Sequence, residues 1–61
     1  MNRLEPLICR HVSYVMVDEP ETVYYGTVER DSFGRPYIQD ENERQVVVYD
    51  TGILLTVAEI G

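Results

Sequence analysis

Four polar clusters cut this chain at short intervals, and the segments between them have lengths that suit strands. The clusters are Asp18-Glu19-Pro20-Glu21, Asp31-Ser32-Phe33-Gly34, Asp40-Glu41-Asn42-Glu43 and Asp50-Thr51-Gly52. Each brings together residues that hydrogen-bond their own backbone, proline or glycine, or carboxylates that keep to water. The rest of the chain is rich in residues that fit a pleated surface, with nine valines, four isoleucines and five tyrosines. Regularly spaced turns between such segments point to a small all-β domain.

The pattern predicts strands over residues 8–17, 22–30, 35–39, 44–49 and 53–60. In the first, Val12, Tyr14 and Met16 share one face, with Ser13, Val15 and Val17 on the other. Pro20 cannot donate to a ladder and breaks the chain after that strand. Gly26, inside the second strand, marks a bulge or a sharp bend of the kind barrels need. Leu4, Leu7 and Ile8 have helical spacing and Pro6 suits a first turn, but the β-branched run from Val12 limits any helix to one turn. The expected architecture is a single domain over residues 1–61. Residues 1–6 form a loosely ordered N-terminal arm. Residues 7–61 form a five-stranded antiparallel SH3-like barrel or strongly bent sheet, with strands two to five in a meander.

A chain of 61 residues buries only about 60% of its unfolded surface, so its core is marginal. Small domains compensate with disulfides, a metal or self-association. Cys9 is the sole cysteine, and Cys9 with His11 supplies two soft ligands where a structural zinc site takes about four. No cofactor or metal is expected, which leaves self-association or docking onto a partner. Apolar residues also exceed what one face needs. Val46 and Val48 alternate with Val47 and Tyr49, and Leu54, Ala58 and Ile60 oppose Ile53, Leu55 and Val57. One barrel interior cannot take both faces, and large exposed apolar patches mark interaction sites.

The charge balance is 5 Arg, with no lysine, against 11 Asp plus Glu, a net of −6. Such a chain is repelled by phosphate backbones, so direct nucleic-acid binding is disfavoured, while a basic partner would be attracted. No apolar stretch approaches the roughly 20 residues that span a bilayer. The opening Met1-Asn2-Arg3-Leu4-Glu5-Pro6 does not read as a signal peptide, so a cytoplasmic location is expected.

Two arrangements invite a catalytic reading. Asp50-Thr51-Gly52, between Val46-Val47-Val48-Tyr49 and Ile53-Leu54-Leu55, resembles the catalytic triplet of retroviral-type aspartic proteases. That resemblance implies a homodimer in which two such aspartates share a proton. A hairpin turn accounts for the same three residues through local hydrogen bonds and a glycine, and is the reading adopted. Cys9 and His11, two apart in a strand, share a face as a nucleophile pair would, but no orienting residue lies nearby; a small buried thiol is expected instead. No phosphate loop or nucleophile elbow occurs, and no enzymatic activity is expected.

The expected function is therefore binding: a non-enzymatic acidic β domain acting through protein–protein contacts, self-associating, of the kind that serves as an inhibitor or regulator from a phage or mobile element. The expected interface residues are Tyr14, Tyr24, Tyr25, Tyr37, Val47, Tyr49 and Leu54, because tyrosine offers large contact area at low entropic cost. Asp18, Glu19, Glu21, Asp40, Glu41 and Glu43 are expected to face an acid-seeking partner. Two alternatives stand beside this. The carboxylates could mimic phosphates and occupy the DNA-binding site of another protein, or a homo-oligomer could sequester a small anionic ligand between subunits through Arg30, Arg35 and Arg44.

Overall fold

The computed structural model describes residues 2–42 and 46–60. A short 3-10 helix, Glu5–Leu7, precedes five strands: β1 (His11–Met16), β2 (Glu19–Arg30), β3 (Pro36–Asp40), β4 (Val47–Val48) and β5 (Leu54–Glu59). All pairings are antiparallel, in the order β4-β3-β2-β1-β5. The domain is all-β, as the turn spacing implied. Among the described residues the sheet is open between β4 and β5.

The meander extends only from β1 to β4. β5 does not pair with β4; it crosses to the far edge and joins β1. Five flat strands would set these edges about 19 Å apart. The link over residues 49–53 could span that gap only when nearly straight, at about 3.5 Å per residue. Instead it is folded by bonds from the Thr51 N–H to the Tyr49 carbonyl and the Leu54 N–H to the Thr51 carbonyl. The sheet must therefore curl to bring its edges together.

Gly26 makes that curl possible. β2 pairs with β1 along its first part and with β3 along its last, and Gly26 belongs to both ladders, opposite Val12 and Asp40. A Cβ there would stand 2.5 Å from the Gln39 carbonyl oxygen and 2.7 Å from Ile38 Cγ2. Only a residue without a side chain allows β3 so close. Pro20 lies inside β2 rather than ending β1, in the part that β3 does not pair with, where a missing N–H is tolerated.

The core consists of Leu4, Val12, Tyr14, Met16, Val28, Ile38, Val48 and Leu54. β1 faces inward as its alternation predicted. β5 does not alternate simply, because a register shift between Val15 and Met16 sets Met16 opposite Leu54 and Tyr14 opposite Val57. Both partners consequently turn inward, although they are three residues apart. The loose arm expected over residues 1–6 is instead docked. Leu4 is fully buried at 0% exposure, Leu7 and Ile8 pack against the core, and the Arg3 guanidinium bonds the Leu54 and Leu55 carbonyls.

One carboxylate enters this core. Asp40, 2% exposed, accepts from the Tyr14 hydroxyl and, at 2.9 Å, from the Asn42 N–H. The pair ties the middle of β1 to the end of β3, and no buried side-chain polar atom is left without a partner among the described residues. The folded surface, 4044 Å², matches the roughly 4,100 Å² of a compact monomer of this mass.

Candidate functional site: an aromatic–guanidinium turn

The β2–β3 turn carries Phe33, which at 82% exposure is the most exposed large apolar side chain among the described residues. The turn beneath it is heavily bonded. The Asp31 N–H donates to the Arg35 carbonyl and the Gly34 N–H to the Asp31 carbonyl, both at 2.9 Å. Asp31 Oδ1 accepts from the N–H groups of Phe33 (2.9 Å) and Arg35 (2.8 Å). The Arg30 guanidinium donates to the Gly34 carbonyl at 2.9 Å. Gly34 has φ +83°, a left-handed conformation that glycine adopts without strain. Such a segment has little freedom left to lose on binding.

Side chains extend the same order outward. The Arg35 guanidinium lies 5.3 Å from the Phe33 ring centroid and 5.1 Å from that of Tyr49, within cation–π range. Its Nε donates to Asp31 Oδ2 at 2.9 Å, and the Tyr49 hydroxyl donates to the same oxygen at 2.9 Å. Tyr37 meets Tyr49 with centroids 5.8 Å apart. The register explains this contact: Ile38 opposes Val48 and Gln39 opposes Val47, so Tyr37 comes opposite Tyr49 on the outer face. Val47, also exposed, lies on that face one step further along β4.

Asp31 is the hub, and its acidity records this. Burial acts to raise its pKa by desolvation, but the bonds from the Arg35 N–H, the Tyr49 hydroxyl, the Phe33 N–H and the Arg35 side chain outweigh it and lower the value to about 2. The Asp31 bond raises the Tyr49 pKa in turn. One residue past Tyr49, the Arg3 side chain holds Asp50 below the ordinary aspartate value, mainly through its hydrogen bond, with the Nη2–Oδ1 contact at 2.8 Å. Groups with a depressed pKa stabilise the fold above their unfolded value and lose that contribution as pH falls through the folded one. The melting temperature is expected to fall as pH drops from the ordinary aspartate value of 3.8 to about 2. Asp31→Asn should melt lower than wild type at pH 6 and show a shallower acid slope; parallel slopes in the two proteins would contradict the assignment.

Several expected site residues lie elsewhere. Tyr14 and Leu54 are core residues, not interface residues, because the inward face of β1 and the β5 register shift bury them. Tyr24 is half-buried, stacked on Tyr14 at 5.6 Å and donating to Glu19. Tyr25 is exposed on the outer face of β2. Asp40 is buried rather than facing a partner, whereas Asp18, Glu19, Glu21 and Glu41 are exposed, Glu41 beside His11. Glu43 and Arg44 lie outside the described residues. Cys9 is exposed, not buried, and precedes β1 at φ 68°, so it does not share a strand face with His11. The Asp50 side chain is 8% exposed and committed to Arg3, so the triplet it opens is a structural corner linking β4 to β5, not a hairpin.

The described arginines are dispersed and engaged: Arg3 with Asp50, Arg10 with Glu59, Arg30 with Glu5 and Arg35 with Asp31. The described residues form no pocket and contain no cluster of metal-ligating side chains, and no helix among them is long and apolar enough to cross a membrane. Sequence reasoning singled out Tyr37, Val47 and Tyr49 as interface residues and Arg35 only as an anion ligand, and it passed over Phe33. The available signal was a large apolar residue in a turn otherwise built from Asp, Ser and Gly. No protein-family model, curated protein or solved structure matches this chain.

Proposed function

We propose that this chain is a non-enzymatic protein-binding module whose anchor is Phe33. The observation that carries this reading is a nearly fully exposed phenylalanine displayed on a densely hydrogen-bonded turn, flanked by Arg35, Tyr37 and Tyr49. Binding energy in protein interfaces concentrates in aromatic and arginine side chains that fill a partner's pocket, with near-neutral contacts around them. An ordered turn presents such a group without further entropic cost. The net charge of −6 favours a partner with basic groups around that pocket. A role as an inhibitor or regulator fits a small rigid binder of this kind.

We further read the curled sheet as a partly open SH3-like barrel. Support comes from the long β2, shared between β1 and β3, with its glycine at the shared position. The phosphate-mimic alternative has less to stand on, because Asp31 and Asp50 are ion-paired and Asp40 is buried. The anion-sequestering alternative is weakened likewise, since Arg30 and Arg35 already hold carboxylates.

Affinity capture from the source cells, with wild-type and Phe33→Ala baits side by side, tests the proposal. A truncated hot-spot anchor costs at least about 2 kcal/mol, or roughly thirtyfold in affinity. Proteins retained by wild type should be lost from the variant, while its melting temperature stays within a few degrees. Equal retention by both baits would overturn the assignment of Phe33.

A further inference from the structure

β5 is an open template for another strand. It forms one end of the sheet and pairs with β1 on one side only. In an antiparallel ladder, alternate residues turn their N–H and C=O groups away from the partner, and along an edge strand these groups face outward. Proteins blunt such edges with lysine, proline, an inward-pointing charge, a bulge, a covering segment or a very short strand, and in β5 the register shift against Met16 and the Arg3 cover both fall at its first residues. The opposite edge, β4, is short: Val47–Val48. β5 reads Leu54-Leu55-Thr56-Val57-Ala58-Glu59, with no proline, no lysine and a single charge at its end. Arg3 covers part of this edge by bonding the Leu54 and Leu55 carbonyls at 2.7 and 2.9 Å. No hydrogen bond from the described residues reaches the outward groups of the stretch beyond.

Charge selects the occupant. Two copies of a chain with net charge −6 repel each other over most of their surface. The β1–β2 turn displays Asp18, Glu19 and Glu21, and Glu29 projects from the far part of β2. Along β5 the sole acid, Glu59, is balanced by Arg10 at 3.7 Å. This edge is therefore a place where like-charged copies meet with little local repulsion. It also adjoins apolar surface. Val17, Val23, Tyr25, Ile53, Leu55 and Ile60 are exposed, and all belong to the β2-β1-β5 half of the sheet or its ends. The Val17 N–H bonds the Ile53 carbonyl and the Ile60 N–H bonds the His11 carbonyl, which fixes both flanking residues beside β1.

We propose that a second copy of this chain docks on β5, edge to edge and antiparallel about a twofold axis, so that one sheet runs through both molecules. Closed homodimers use the same patch on both subunits, and a twofold axis makes paired identical strands antiparallel. With Arg3 occupying the start of the edge, the open stretch centres on Val57, and Thr56 then lies opposite the partner's Ala58. This contact is separate from the Phe33 turn, and either could exist without the other.

Sedimentation equilibrium over micromolar to millimolar concentration tests this, with wild type, Thr56→Lys and Phe33→Ala compared. Wild type should associate reversibly to twice 7.1 kDa. Thr56→Lys puts a charge on the edge and should weaken the dimer by about tenfold or more. It also reduces the net negative charge, so a charge-limited association through any other surface would strengthen instead. Phe33→Ala should dimerise like wild type. Amide exchange on unmutated protein gives a second readout: alternate β5 amides should slow as concentration rises. A wild-type monomer at millimolar concentration, a dimer indifferent to Thr56→Lys, or one lost with Phe33→Ala would each overturn the proposal.

Discussion

Gly26→Ala should lower the melting temperature by about 10–20 °C, corresponding to about 2–3 kcal/mol for a domain of this size. The sign is the informative part. In the interior of an ordinary strand, alanine is favoured over glycine by roughly 0.5–1 kcal/mol. Here the added Cβ would meet the Gln39 carbonyl oxygen at 2.5 Å and the Gln39 carbonyl carbon at 3.1 Å. Those are backbone atoms of β3, held in register opposite Thr27 and Val47. They cannot withdraw without loosening two ladders. Gly52→Ala is the matched comparison, because nothing stands within 4 Å of a Cβ there and its φ is not left-handed. That variant should melt at or slightly above the wild-type temperature. Equal behaviour of the two variants in a thermal melt followed by circular dichroism would show that Gly26 does not mark the shared corner.

The second large effect is expected at Leu4. Its side chain is fully buried, and it is among the largest to be so. Truncating a buried leucine to alanine costs about 2–5 kcal/mol, since transfer energy is lost and a cavity remains. A domain of this length has on the order of 3–9 kcal/mol in total. Leu4→Ala should therefore shift the urea midpoint strongly and leave much of the protein unfolded at physiological temperature. The neighbouring Arg3 sets the depth at which Leu4 enters, since its guanidinium holds both Asp50 and the start of β5. A loss below about 1 kcal/mol would mean that residues 2–7 lie over the sheet without completing its core.

These two residues also show where the sequence could be read and where it could not. The strands were legible because their signals are local: polar clusters end them, and alternation of Val12, Tyr14 and Met16 with Ser13 and Val15 orients β1. Gly26 was legible as a special position because glycine inside a strand is anomalous, and the structure shows the close approach of β3 that requires it. The partner of β5 was not legible. Its pairing with β1 joins segments about forty residues apart, and no local pattern encodes that choice. The inward turn of both Leu54 and Val57 depends on a register shift against β1, which alternation in β5 alone would misread. Leu4 was misjudged because Leu4, Leu7 and Ile8 announce a short turn without saying what it packs against.

The site divides in the same way. Tyr37, Val47 and Tyr49 were singled out because interfaces favour exposed aromatic and apolar surface, and the structure brings the two tyrosines into contact. Tyr14 was drawn in by the same rule although its alternation with Val12 and Met16 already pointed inward. Phe33 was overlooked because Asp31 and Gly34 explained the segment as a turn, and Arg35 was read only as a ligand for an anion. An apolar ring on a polar turn called for a second reason. Asp31 supplies the physical link: it organises the turn backbone, orients Arg35 and fixes Tyr49, so one carboxylate makes both the turn and the patch.

The chain contains a single phenylalanine, so fluorophenylalanine incorporation yields one fluorine resonance that reports on Phe33 alone. That spectrum, recorded while a captured partner is titrated in, measures the central claim directly. If Phe33 is the anchor, the resonance shifts and broadens in step with complex formation, and its solvent isotope shift collapses as the ring enters an apolar pocket. A resonance that keeps its position and solvent sensitivity while the complex forms would place the binding surface elsewhere.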